Sequence, residues 1–119
     1  MKKTFIYPGQ GSQSVGMGIT VADTFPAARA IFDAASSVVG YDMYKLCSEG
    51  PVEKLANTVF TQPSLYTVEA SITTVLLEKG LKPYFAAGHS HSSVFDKSNI
   101  GHCASSFWTR RTVFVYRIE

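Results

Sequence analysis

The chain is 119 residues long, 45% apolar, 13% aromatic and 17% charged, with 11 Lys+Arg against 9 Asp+Glu. A domain usually takes about 100 to 150 residues, so this length leaves no room for a two-domain enzyme, and the composition fits a soluble folded domain rather than disorder throughout. The formal net charge of +2 falls short of the dense basic face that nucleic acid or an anionic membrane surface requires.

Residues 1–90 hold seven basic and seven acidic side chains, whereas residues 91–119 hold Lys97, Arg110, Arg111 and Arg117 against Asp96 and Glu119. The net charge therefore lies entirely in the tail. Behind Lys2 and Lys3 only a short apolar run precedes Pro8 and Gly9, which is no signal-peptide core, so Cys47 and Cys103 read as reduced thiols in a cytoplasmic protein. No stretch reaches the roughly 18 apolar residues that span a bilayer.

In chain order, the β-prone run at residues 3–7 predicts a buried first strand that ends at Pro8 and Gly9. A loop follows through Gly11 and Gln13. Pro26 then stands at a first helical position, and Ala28, Ile31, Phe32, Ala35, Val38 and Val39 recur at spacings of three and four, predicting a helix over 26–39 closed by Gly40. Tyr41 to Asn57 reads as loop and short helical turns, with Val52 and Leu55 pointing inward. A longer helix is expected over 63–79, with Pro63 near its start and Leu65, Val68, Ile72, Val75 and Leu76 forming a stripe to pack on a sheet. Residues 83–88 predict a second strand, which delivers Ser90 at its carboxyl end. Strand, helix, strand in this order implies a parallel sheet flanked by helices.

Beyond Ser90 the character changes, because all six leucines lie before it and none after. Val113 to Ile118 has strand propensity, but nothing earlier in the tail says where it would pair.

Four constellations bear on chemistry. Gly88-His89-Ser90 after a strand is the start of a nucleophile-elbow pattern, in which a tight turn exposes a serine and the next amide faces an oxyanion; the second glycine of that pattern is replaced by Ser92. Spacing alone leaves a catalytic serine and a structural turn serine both open. Gly9 to Gln13 would let backbone amides converge on an anion, or serve as a plain tight turn; Ser14 stands where a nucleotide fingerprint requires glycine. His89, His91, His102, Cys47 and Cys103 match no zinc spacing, so no metal is expected. Trp108, Arg110 and Arg111 form an aromatic-basic trio too small to argue for nucleic acid.

Taken together, Tyr7-Pro8-Gly9-Gln10-Gly11-Ser12-Gln13, Val15-Gly16-Met17-Gly18, Gly40-Tyr41-Asp42, Gly50-Pro51 with Glu53, Leu55 and Thr58, Thr61-Gln62-Pro63-Ser64-Leu65, and Gly88-His89-Ser90 resemble the N-terminal part of malonyl-CoA:acyl-carrier-protein transacylases. The resemblance runs from about residue 3 to residue 90. It implies an α/β fold, here a partial hydrolase-like parallel sheet with flanking helices, and two segments: 1–90 as the N-terminal part of an acyltransferase domain and 91–119 as a divergent tail. It also implies ping-pong transfer of malonyl from malonyl-CoA to acyl carrier protein in fatty-acid biosynthesis, with no cofactor beyond those two substrates. Ser90 matches the nucleophile, and Gln10 and His91 match the positions whose backbone amides form the oxyanion hole.

The departures from the family follow Ser90. His91-Ser92-Ser93 stands where the family usually has Leu-Gly-Glu, and Phe114-Val115-Tyr116 stands where it places an arginine for the malonyl carboxylate. The family's catalytic histidine falls beyond residue 119. The expectation is a truncated copy, or one whose reading frame leaves the family's at or just after Ser90, with little or no activity by itself. The alternatives are a non-enzymatic fragment or interaction module, and a serine esterase or thioesterase that uses the same elbow.

Overall fold

The computed structural model describes residues 3–9, 11–89, 103–108 and 113–118. Its elements are β1 (Thr4–Tyr7), α1 (Ile19–Thr24), α2 (Pro26–Val39), α3 (Met43–Glu49), α4 (Val52–Ala56), α5 (Thr58–Glu78), β2 (Phe85–His89), β3 (Cys103–Trp108) and β4 (Val113–Ile118). They fall into two compact units, a helical one of residues 10–80 and a sheet one of residues 1–9 with 81–119.

In the helical unit, α2 begins and ends where the sequence places it. Pro26 needs no N–H in the first turn, and Gly40 takes the left-handed conformation at φ 82° so that its amide closes on the Ser36 carbonyl. One stripe of α2 turns inward, with Ala28 and Phe32 fully buried, while Val38 is 86% exposed. The segment before α5 forms more regular helix than the sequence suggested. Asp42 caps α3 by accepting from the Lys45 amide at 3.0 Å, and the three buried residues Met43, Leu46 and Cys47 face the core. In α4, Leu55 is buried as expected, but Val52 is 63% exposed, because five residues present only one inward position.

The long helix α5 starts at Thr58 rather than at Pro63. Asn57 caps it through the Val59 amide at 3.2 Å, and Pro63 lies inside it. The expected apolar stripe is only part of its buried surface. Leu65, Val68 and Val75 are buried, Ile72 is exposed, and Thr61, Ser64, Thr67, Ser71 and Thr73 are buried with them. Within this unit α5 packs chiefly on α2 and α4. The core joins Ala22, Phe32, Met43, Leu46, Cys47, Leu55 and Val68, edged by Tyr41, Tyr44 and Phe60. Each fully buried large apolar side chain contributes about 1.5–3 kcal/mol. Phe32 meets Tyr44 edge-on at 6.1 Å and Tyr41 meets Phe60 edge-on at 5.4 Å, both favoured ring geometries.

In the sheet unit, β1 and β2 pair in parallel from Thr4↔Phe85 to Tyr7↔Gly88, and the Tyr84 amide extends the ladder to the Lys3 carbonyl at 2.7 Å. The sheet as a whole is mixed rather than parallel. Its order is β1-β2-β4-β3, and β4 runs antiparallel to both β2 and β3. The strand propensity of Val113–Ile118 thus corresponds to a real strand, whose partners lie far away in sequence.

Candidate active site

Parallel pairing brings equivalent strand ends together. Because Tyr7 lies opposite Gly88, the carboxyl ends of β1 and β2 share one edge of the sheet. From that edge the chain continues through Pro8 and Gly9 on one strand and through His89 on the other. In open α/β sheets the carboxyl ends of parallel strands are where loops deliver reacting groups. Tyr7 is 5% exposed and Ile6 is 76% exposed, so the last turn of the pleat anchors β1 on one face only. Gln10, Ser90 and His91 themselves lie outside the described residues.

The first loop is partly committed to its own structure. The Gly11 amide donates to Gln13 Oε1 at 2.7 Å, so it is engaged by a side chain two residues away rather than turned toward a ligand. Further along, Gly16 donates to the Cys47 carbonyl at 2.6 Å, which fastens the loop to α3. Gly18 precedes α1 in the left-handed conformation, at φ 72°.

The Thr61-Gln62-Pro63-Ser64-Leu65 motif occupies the second turn of α5, and its polar members are structural. Thr61 Oγ1 donates to the Leu55 and Asn57 carbonyls, tying α5 to the end of α4. Ser64 Oγ donates to the Phe60 carbonyl at 2.6 Å and lies 3.5 Å from Met43 Sδ. Thr67 Oγ1 donates to the Pro63 carbonyl at 2.7 Å. Gln62 is half-buried. Sequence reasoning did not foresee this use of the hydroxyls, although the spacing of Thr61, Ser64, Thr67, Ser71 and Thr74 along one helix is visible in the sequence.

Of the other candidate groups, Cys47, His89, Cys103 and Trp108 lie among the described residues. Cys47 is fully buried in the helical unit, and burial pushes its thiol up to about 11 while the Ser64 hydroxyl pulls it back in part. A thiol so placed is neutral near pH 7 and is no nucleophile. Cys103 begins β3 in the other unit, His89 ends β2, and His91 and His102 lie outside the described residues. Among the described residues, no three His, Cys, Asp or Glu side chains gather to hold a metal. Trp108 ends β3, while Arg110 and Arg111 lie outside the described residues. A shallow polar groove of about 610 Å³ in the helical unit is lined by Arg29, Asp33, Ser36, Ser37, Tyr41 and Asp42. Arg29 pairs with Asp33 at 3.4 Å, and Ser36 and Ser37 donate to backbone carbonyls, so the groove holds no nucleophile and base. Among the described residues no helix is long and apolar enough to cross a membrane.

The chain is similar to proteins of a known family. Residues 4–94 match the acyl transferase domain family. The chain is 41% identical over 87 residues to a malonyl CoA-acyl carrier protein transacylase of Bacillus subtilis, an overlap of 72% of this chain and 22% of that protein. It is 44% identical over 87 residues to the Salmonella typhimurium transacylase, 72% of this chain and 28% of that protein. Among solved structures, an acyl carrier protein S-malonyltransferase from Vibrio cholerae superposes with a TM-score of 0.74 at 41% identity, covering 77% of this chain and 30% of that one. A malonyl-transacylase solved in complex with a type II polyketide synthase acyl-carrier protein gives 0.73 at 41% identity, with the same coverage. The chain therefore spans less than a third of the length of these relatives.

Proposed function

This chain belongs to the acyl transferase domain family, and from that premise we propose that it carries the N-terminal part of a malonyl-CoA:acyl-carrier-protein transacylase with Ser90 as the nucleophile. The observation that carries the reading is the parallel register of β1 and β2, with Tyr7 beside Gly88. It sets the strand leading to Gln10 against the strand leading to Ser90, as a nucleophile and an oxyanion hole drawn from two strand ends require.

The Ser90 hydroxyl adds to the thioester carbonyl of malonyl-CoA while the amides of Gln10 and His91 donate to the developing oxyanion. The C–S bond breaks, the coenzyme A thiol leaves with the proton removed from Ser90, and malonyl is held as an ester. The phosphopantetheine thiol of acyl carrier protein then attacks that ester, its proton returns to Ser90 Oγ, and malonyl leaves as the new thioester. Both half-reactions need a base to take and return a proton. In this reading the base lies beyond residue 119, and the carboxylate-binding arginine belongs to the family's reading frame, in place of Phe114-Val115-Tyr116. No cofactor takes part, and the site works in the cytoplasm.

The finer fold reading is a partial hydrolase-like sheet with flanking helices, supported by the β1–β2 pair and by the likeness to the solved malonyltransferases. The chain divides into acyltransferase sequence to about residue 90 and a tail from 91 in which the reading frame has departed. The family match ending at residue 94 and the absence of leucine after Leu81 support this division. Translating the other two frames downstream of the Ser90 codon tests it: a Leu-Gly-Glu continuation, an arginine and a later histidine motif are expected, and their absence from both frames refutes it.

For the chemistry, the 119-residue polypeptide is incubated with labelled malonyl-CoA and mapped by mass spectrometry. Any ester formed sits on Ser90, is absent from Ser90→Ala, and forms far more slowly than in a complete transacylase. Turnover by this polypeptide at the rate of a complete enzyme contradicts a base supplied from elsewhere.

A further inference from the structure

We propose that the C-terminal hairpin of β3 and β4 is a built-in edge cap for β2, and that opening it makes this chain pair through β2 with a second copy of itself. A strand with an unpaired edge presents a row of free N–H and C=O groups that templates another chain. Here β2 has neither edge free. Four residues pair with β1, and all five, from Phe85↔Arg117 to His89↔Val113, pair with β4.

The strand that does the capping is itself hazardous. Val113-Phe114-Val115-Tyr116-Arg117-Ile118 is β-branched and aromatic, with one charge and no proline, the composition of a self-associating segment. The sheet order β1-β2-β4-β3 places it between two strands, so both of its edges are taken as well.

The edges that remain are poor templates. β3, on the outside, carries Ser105 and Ser106 and has a register shift between Cys103 and Ser105, an irregularity of the kind that interrupts edge pairing. At the opposite side, β1 has only four residues, with Lys3 before it and Pro8, which has no N–H, immediately after it. The sheet thus has its pairing-competent strands inside and its pairing-poor strands outside. When the hairpin opens, β2 regains a full free edge, and the same edge on another copy is its equal partner, as in strand exchange between identical chains.

The test uses the whole 119-residue chain with Val115→Pro and Tyr116→Pro together. Successive amides of a central antiparallel strand point to opposite neighbours, so the pair removes one ladder bond on each side of β4. Light scattering across a concentration series should show the variant's mean mass rising about twofold above the unaltered chain's, the increment of a strand-paired dimer, with the helical circular dichroism retained. In the unaltered chain, amide exchange should be slow at every residue from Phe85 to His89. A variant that keeps the parent's mass at every concentration overturns the proposal. So does free exchange at alternate β2 amides in the unaltered chain. If the double variant loses its helical signal, the single variant Val115→Pro is read against the same two outcomes.

Discussion

Gly18 occupies a point where a side chain has no room. A Cβ there would sit 3.0 Å from Val68 Cγ2 and 3.2 Å from Phe32 Cζ, and φ is +72°. Gly18→Ala therefore combines a core overlap with left-handed strain, and a loss of about 1–3 kcal/mol is expected in urea unfolding followed by circular dichroism. Phe32, with 0% exposure, is the largest side chain of that core, and Phe32→Ala should cost about 3–5 kcal/mol in the same measurement. Cys47 has a different signature. Its folded-state thiol sits near 11 against an ordinary 9.0, because burial disfavours the thiolate. With the folded value raised, the contribution to stability is complete below pH 9 and is lost as pH rises from 9 through 11. Cys47 should resist thiol reagents at pH 8 in the native state and react on unfolding; fast native-state labelling at pH 8 would contradict its burial.

The helix α5 shows how an element can be legible in kind and misread in extent. Its existence follows from apolar residues three and four apart, but Pro63 suggests a start, whereas Asn57 caps the helix one residue before Thr58 and leaves the proline inside. Burial extends beyond the apolar stripe because the buried Thr61, Ser64, Thr67 and Ser71 donate to carbonyls three to six residues back, and a satisfied hydroxyl is cheap to bury. Glu69, at 7% exposure, is buried too, which charge patterning would never propose. Thr61→Val keeps the shape and removes the bonds to Leu55 and Asn57, so a loss of about 1–3 kcal/mol is expected by chemical unfolding, with the α4–α5 junction exchanging its amides faster. By contrast, α2 was legible to the residue, since Pro26 and Gly40 mark its ends chemically. α3 and α4, at seven and five residues, are too short to display a period. The strand β4 was legible by propensity but not its place beside β2, because pairing depends on residues about thirty positions away. Gln10, Ser90 and His91 were legible as motif positions only. What the fold adds is the Tyr7↔Gly88 register, which no local pattern encodes.

For the whole molecule, several branched apolar side chains among the described residues stand in solvent: Val38 at 86%, Val59 at 72%, Val52 at 63% and Ile6 at 76% exposure. The family relatives are more than three times as long as the stretch they share with this chain. In the 119-residue polypeptide these residues predict binding of a hydrophobic dye and a broad, low-temperature melt, whereas a sharp melt at high temperature from a soluble monomer would show that the surface needs no cover. The same partial coverage decides how the chemistry is best examined. Residues 1–90 of this chain are joined in frame to the remainder of the Salmonella typhimurium transacylase, which is 44% identical over the shared stretch, and malonyl transfer to acyl carrier protein is followed. The hybrid should form a malonyl ester on Ser90 and pass it on, and Ser90→Ala should cut transfer by about a thousandfold or more. A folded hybrid that carries its ester on another residue, or that still transfers malonyl after Ser90→Ala, would contradict Ser90 as the nucleophile.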